Sequence, residues 1–425
     1  MLQNWMESNG HSLVNSRNSR VKRQTQSRCH RYRFSPLAMR IALVTTSFPL
    51  SRTSSAGVFI QRLAVALAKH SQVTVLTPDS SDTDSCDSHK PYELRVFRYA
   101  PKRYQKLTQV AGGIPDALHR RDPACIFLVT LLPLLFINAL VVARKVDLIH
   151  GNWSIPSAIA ALAGRIVGTP SVSTLRGEDY TRARSSRLFR FMLKVSLRLN
   201  IYTICVSEAM TDGLRKMLPQ HAHKVRFIPN GVAGYPIQQK PFPNGRIRLL
   251  TIGSCIERKR QDLILEAISD PSLRGHFILR VVGEGPLQSR LTQLAEEMDI
   301  TDQLELVGAV PPEDIFRHLE WANVFILSSE SEGRPNALME AMAGGLPVVA
   351  SDIDGIRELL AGDSGLLFES GSANQLKQCL GTLMQYPEMA IELGNRAKQR
   401  IDDLNLTWSK CSTEYTNLYR TIISC

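Results

Sequence analysis

The chain has 425 residues, 44% of them hydrophobic and 21% charged, with a formal net charge of +12. That length accommodates two ordinary domains with large cores, and the balance excludes a chain that is disordered throughout. Residues 1–38 hold seven Lys or Arg against Glu7 alone, so half of the positive excess sits in this leader.

The leader is rich in Ser, Asn, Gln and Arg, lacks apolar periodicity, and reads as a disordered basic segment 1–38. It has no apolar core of a secretory signal, and Met39, just ahead of the first strand, reads as a natural start. Cysteines at 29, 86, 125, 205, 255, 379, 411 and 425 show no Cys-x-x-Cys and the histidines are dispersed. This pattern predicts reduced thiols in the cytoplasm and no metal site.

Residues 40–44 predict a buried parallel strand, followed by a loop to Gly57, an amphipathic helix 58–70 and a strand 73–77. This is the opening of a Rossmann-like half, although the G-x-G-x-x-G of dinucleotide enzymes is missing. Residues 124–143 are apolar at membrane-spanning length. Because strands of one sheet flank them, the reading is a buried or interfacial helix. Strand 146–150 ends at His150, a candidate site contact, and strand 170–175 ends in Arg176-Gly177-Glu178-Asp179. Strand C-termini in open parallel sheets face the ligand crevice.

Residues 182–199 predict one helix carrying Arg187, Arg190, Lys194 and Arg198 beside Leu188, Phe191, Val195 and Leu199, without an acid. Such a helix suits an anionic membrane or a phosphorylated lipid acceptor, with Arg98, Lys102, Arg103, Arg120 and Arg121 extending the patch. Aromatic interleaving and recognised nucleic-acid modules are missing, so no nucleic-acid partner is expected. A Pro-rich linker 233–246 separates an N-terminal domain 39–232 from a second domain 247–404. Residues 405–425 form a last helical run.

The second domain opens with a strand ending at Gly253, then Ser254 and the cations Arg258, Lys259 and Arg260, an anion-ready turn. A further strand ends at Gly283, and Val310 ends the next. A strand 321–327 then enters Glu332-Gly333-Arg334-Pro335-Asn336, a helix bearing Glu340, and the strand Val348-Val349-Ala350. Pro335 suits the first helical turn and Gly333 a close backbone approach. Asp352-Ile353-Asp354 reads as loop rather than as a metal motif.

The Glu332 to Glu340 spacing and the Pro-Val-Val-Ala strand behind it resemble the donor-site signature of retaining GT-B glycosyltransferases, the glycosyl transferases group 1 family. The resemblance implies an α/β GT-B fold: two Rossmann-like domains facing a central cleft, with the C-terminal helix crossing back to the first domain. It implies a nucleotide-sugar donor as substrate and no cofactor, a glycan or lipid-linked acceptor, and transfer with anomeric retention without metal. Work in polysaccharide or glycolipid synthesis at the cytosolic face of a membrane is expected. Glu332, Lys259, Arg258 and Arg176 would be catalytic, and Gly57, Gly253, Ser254, Gly283, Val310, Gly333, Arg334, Pro335, Asn336 and Glu340 would bind the donor. Arg176 stands where the family has a histidine, which leaves the acceptor proton unassigned. Ser254 replaces a common arginine. A GT-B-shaped epimerase and a catalytically lapsed binding protein stand as alternatives.

Overall fold

The structure, a computed structural model, describes residues 39–83, 90–108, 110, 112–234, 237, 242 and 245–424. The predicted leader 1–38 and most of the predicted linker lie outside the described residues.

The first sheet contains β1 (Arg40–Val44), β2 (Gln72–Pro78), β3 (Glu93–Phe97), β4 (Leu148–Asn152), β5 (Ser171–Leu175), β6 (Tyr202–Cys205) and β7 (Val225–Phe227). They lie in the order β3-β2-β1-β4-β5-β6-β7, all parallel. Ile41 to Val44 are fully buried, as befits a strand covered on both faces. The helices are α1 (Val58–Leu67), α2 (Gly113–His119), α3 (Leu128–Ala143), α4 (Ser154–Val167), α5 (Glu178–Ser185), α6 (Arg187–Leu199) and α7 (Glu208–Met217). The single helix expected over 182–199 is therefore two. Ser186 adopts an extended backbone that ends α5, and its side chain accepts from the Phe189 amide to cap α6.

The apolar run 124–143 is mostly α3, preceded by a short 3₁₀ turn. Leu131, Leu135, Ala139, Val142 and Ala143 form its buried stripe beneath α4, in the layer that covers the sheet. With β3 before it and β4 after it in one sheet, it belongs to that layer.

The second sheet contains β8 (Ile247–Ile252), β9 (Phe277–Val282), β10 (Leu304–Gly308), β11 (Val324–Leu327), β12 (Val348–Ser351) and β13 (Leu366–Phe368), in the parallel order β10-β9-β8-β11-β12-β13. Its helices are α8 (Gln261–Ser269), α9 (Gln288–Glu297), α10 (Ile315–Trp321), α11 (Asn336–Ala343), α12 (Asp354–Arg357), α13 (Ala373–Gln385) and α14 (Pro387–Leu404). Strand β11 begins at Val324 rather than at the expected Trp321. Trp321 ends α10 with its ring 3.6 Å from the Arg280 guanidinium, and Asn323 turns the chain by bonding Arg248. Asp354 opens α12 rather than continuing a loop.

Helix α15 (Trp408–Ile423) returns to the first sheet and packs on α1. Tyr415 and Tyr419 are buried in the same apolar cluster as Ile41, Leu43 and Leu63. The GT-B architecture is thus present: two Rossmann-like halves with a helix crossing back. Val232 and Thr407 bridge as neighbours, so the chain's two passages between the halves run side by side.

Candidate active site

In the second half, β8 ends at Ile252 and the chain turns through Gly253 and Ser254 to Arg258 and Lys259. The loop after β11 comes to meet that turn: the Glu330 amide donates to the Arg258 carbonyl and the Ser328 hydroxyl to the Lys259 carbonyl, both at 2.9 Å. These bonds aim Lys259 Nζ at Glu332 Oε1, 2.5 Å away. Arg258 Nη1 lies 3.9 Å from the same oxygen and donates to the Ser331 carbonyl at 3.2 Å. Burial would raise the Glu332 carboxyl, but Lys259 and Arg258 outweigh it and hold it below its ordinary range. A β-carbon on Gly253 would stand 3.2 Å from Lys259 Cε, so the lysine stem lies over this glycine. The neighbouring Gly283 turn packs on the Gly253 carbonyl, while Val310 is half-buried against the apolar cluster that contains Val282. Arg260, third of the cations, turns instead to Asp262 and Glu330.

The two halves meet at this loop. Arg176, Gly177 and Gly333 are in backbone contact. The Arg176 guanidinium donates to Asn230 Oδ1 at 2.7 Å and Asn152 Oδ1 at 2.8 Å, and Asn230 Nδ2 donates on to Asn336 Oδ1 at 3.2 Å. A hydrogen-bonded line thus runs from the end of β4 through Arg176 and Asn230, which follows β7, to the first residue of α11. Arg176 lies 4.8 Å from the centre of the Phe59 ring and forms no carboxylate ion pair among the described residues. Buried donors at Arg176 Nε, Asn152 Nδ2 and Arg258 Nε have no acceptor there. Donors left unmatched in a cleft suit an anion or a hydroxyl-rich ligand. Phe59 also meets Trp153, whose backbone sits at φ 63° and ψ 159° at the end of β4, a strained conformation of the kind that collects at binding sites.

Glu340 is buried on α11, where Arg62 of α1 pairs with it from the opposite half. Pro335 sits one position before α11, as its N-cap. Gly57 stands at the N-terminus of α1 with φ 70°, its α-hydrogen against the Ser47 carbonyl, so that only glycine fits.

Two predicted site residues take other places. Arg334, expected at the donor, is buried with Glu358 at 2.6 Å. Glu358 also accepts from the Glu208 and Ala209 amides that open α7, so this pair braces one half against the other. His150 is buried between Tyr419 Oη at 2.7 Å and Thr174 Oγ1 at 2.8 Å. Burial, then the nearby Arg176 charge, pushes it down to about 3, so it is a neutral framework residue. Asp179 accepts the Ser154 amide and hydroxyl, both at 2.7 Å, and anchors the start of α4.

On α6, Arg187, Arg190, Lys194 and Arg198 are all exposed beside Leu188 and Phe191. Arg190 additionally bonds the Ala183 and Arg184 carbonyls that end α5. Arg98 and Lys102, expected to extend this patch, instead pair with Asp79 after β2. Among the described residues no three His, Cys, Asp or Glu side chains gather as a metal site.

Asn152, Asn230, Arg62 and Glu358 were not singled out in the sequence. The two asparagines stand at the end of β4 and just after β7, positions that could have flagged them. Arg62 and Glu358 matter only through partners in the other half.

Known proteins resemble both halves of this chain. Residues 56–233 match the description "Glycosyltransferase Family 4" and residues 236–400 match "Glycosyl transferases group 1". The amylovoran biosynthesis glycosyltransferase AmsK of Erwinia amylovora is 37% identical over 147 residues, about a third of each chain. The GDP-mannose-dependent alpha-(1-6)-phosphatidylinositol monomannoside mannosyltransferase of Mycolicibacterium smegmatis is 23% identical over 372 residues, 83% of this chain and 91% of its own. Among solved structures, sucrose-phosphate synthase from Thermosynechococcus elongatus superposes with a TM-score of 0.75 at 20% identity, over 91% of this chain and 99% of its own. The loop that carries Glu332 and the helix that carries Glu340 thus stand in a GT-B fold matched in both halves by these families, and the chain belongs to the glycosyl transferases group 1 family of GT-B glycosyltransferases.

Proposed function

We propose that this glycosyltransferase moves a sugar from a nucleotide-sugar to a hydroxyl of a glycan or lipid-linked acceptor, with anomeric configuration kept and without a metal. The convergence of Lys259, Arg258 and Glu332 at the ends of β8 and β11 carries this reading. When the bond from the anomeric carbon to the diphosphate oxygen breaks, negative charge grows on the departing diphosphate. Lys259 and Arg258 supply fixed positive charge there, with the backbone N–H groups of Gly333, Arg334 and Asn336 as further donors. The acceptor oxygen bonds the same face of the anomeric carbon, and its proton passes to the departing phosphate oxygen. Glu332 orients the donor sugar and Glu340 the ribose hydroxyls. Gly253, Ser254, Gly283 and Val310 line the nucleotide side, and Arg176, held by two asparagines, faces the transferred group.

The acceptor side favours a membrane. Helices α3, α4 and α6 form one layer that contains no acid at all and carries Arg165, Arg187, Arg190, Lys194 and Arg198. Apolar side chains stand on its outer surface: Ile126, just ahead of α3, is 71% exposed, Val129 76%, Leu188 64% and Phe191 63%. An apolar surface with a purely basic charge fits an anionic bilayer, and two copies of it would repel each other. Placement at the cytosolic face would give α6 access to lipid-linked acceptors.

The experiment is a thermal-shift screen of UDP-, GDP- and ADP-sugars, followed by product analysis with the donor that stabilises the protein. The expected product keeps the donor's anomeric configuration, forms only with acceptor present, and forms equally in chelator. Inversion would overturn retention, and an epimerised sugar without acceptor would favour an epimerase instead.

A further inference from the structure

Two carboxylates beside a diphosphate site present an electrostatic problem, because each repels the ligand unless a cation answers it. For Glu332 the answer lies in its own half, in Lys259 and Arg258. Glu340 has its cation in the other half. Arg62, on the helix that begins at Gly57, pairs with Glu340 Oε1 across the cleft, and both side chains are largely buried, 22% and 8% exposed. One turn earlier on the same helix, Phe59 packs against Arg176 and Trp153. Helix α1 therefore touches both the acceptor-side cluster and the donor-side helix α11, and Arg62 is its contact with the latter.

We propose that Arg62 is a positioning residue for the donor: it neutralises Glu340, so that a diphosphate can bind beside that carboxylate, and fixes it to present its second oxygen to the ribose. This inference rests on the reading of Glu340 as the ribose-binding carboxylate. Because the pair bridges the halves, the neutralised donor site is complete only when the cleft is closed. Without Arg62, a partly buried carboxylate would stand uncompensated near the diphosphate, and the penalty would fall on the charged part of the ligand.

The test compares each nucleoside diphosphate with its parent nucleoside (UDP with uridine, GDP with guanosine, ADP with adenosine) by calorimetry or ligand-observed NMR. The pair that binds the wild-type protein is carried forward. In Arg62→Gln, the preference for diphosphate over nucleoside should fall about tenfold, the ratio for an uncompensated like charge near a protein surface. Arg62→Lys should retain the preference, and Arg62→Gln combined with Glu340→Gln should restore it while nucleoside affinity stays low. A merely structural role for Arg62 would weaken nucleoside and diphosphate alike. Equal losses, or no loss, in Arg62→Gln would overturn the proposal while leaving the donor site in place. Failure of the wild-type protein to bind any of the diphosphates would overturn the donor reading and this inference with it.

Discussion

A β-carbon on Gly177 would lie 2.4 Å from the α-carbon of Gly333, so these two glycines seat the end of β5 directly against the loop that carries Glu332. Gly177 also has φ 114°, a conformation that L side chains rarely adopt. Gly177→Ala should hold the halves apart. Small-angle scattering should report a larger radius of gyration, and kcat/KM should fall by about tenfold or more. Unchanged scattering and activity would show that the contact is incidental.

Lys259→Ala removes the cation nearest Glu332. Turnover should drop by about 10² to 10³, the scale for losing one preorganised charge-stabilising donor. Circular dichroism should remain native. Wild-type turnover in this variant would refute the role given to Lys259.

Arg334 has a side chain only 1% exposed and depends on Glu358 for its counter-charge. Glu358→Ala strands that guanidinium and removes the acceptor for two amides of α7. Urea unfolding should show a loss of about 3–5 kcal/mol. The double variant Arg334→Met, Glu358→Ala should lose less than the single one.

His150 gives the fold a pH dependence of known sign. Its ordinary value is 6.5 and its folded value about 3, so the unfolded chain binds the extra proton first. The neutral histidine contributes its full stability above about pH 6.5, and that contribution drains away as pH falls toward 3, by up to about 5 kcal/mol. His150→Gln, which hydrogen-bonds without titrating, should flatten the slope of unfolding free energy between pH 6.5 and 4. An unchanged slope would assign it to other groups.

For the basic face, the protein should sediment with vesicles containing anionic lipid and not with neutral ones, and added salt should release it. Charge reversal of Arg187 and Lys194 should abolish sedimentation and leave transfer to a soluble acceptor intact. Undiminished binding of that variant would place the membrane contact elsewhere.

The succession of strand, turn and helix within one β-loop-α-β unit was readable from the residues. The Lys259 turn, the Glu332 loop and the strands around them follow from apolar runs punctuated by glycine and proline, because both turns sit at strand ends of one sheet. Elements set by a single side chain were less legible. Ser186 splits one predicted helix into α5 and α6 through a local cap, and Asn323 shortens β11 by accepting from Arg248 of the neighbouring strand, hydrogen bonds that periodicity does not register. Contacts between halves were not legible at all. Nothing near Arg334 in sequence announces Glu358 as its partner, and nothing near Arg62 points to Glu340, 278 residues away. Arg176 stands out as a departure from the family's histidine, but its holders Asn152 and Asn230 come from the end of β4 and the segment after β7.

The passage of α15 back to the first sheet has a consequence for synthesis. Tyr415 and Tyr419 complete the packing around Ile41 and Leu43, and Tyr419 bonds His150. During translation the first half therefore emerges with its interior unfinished, and must wait for α15 to leave the ribosome before it can close. A nascent chain arrested near residue 400 should accordingly remain protease-sensitive in its first half, although all seven strands of that sheet are already outside the exit tunnel.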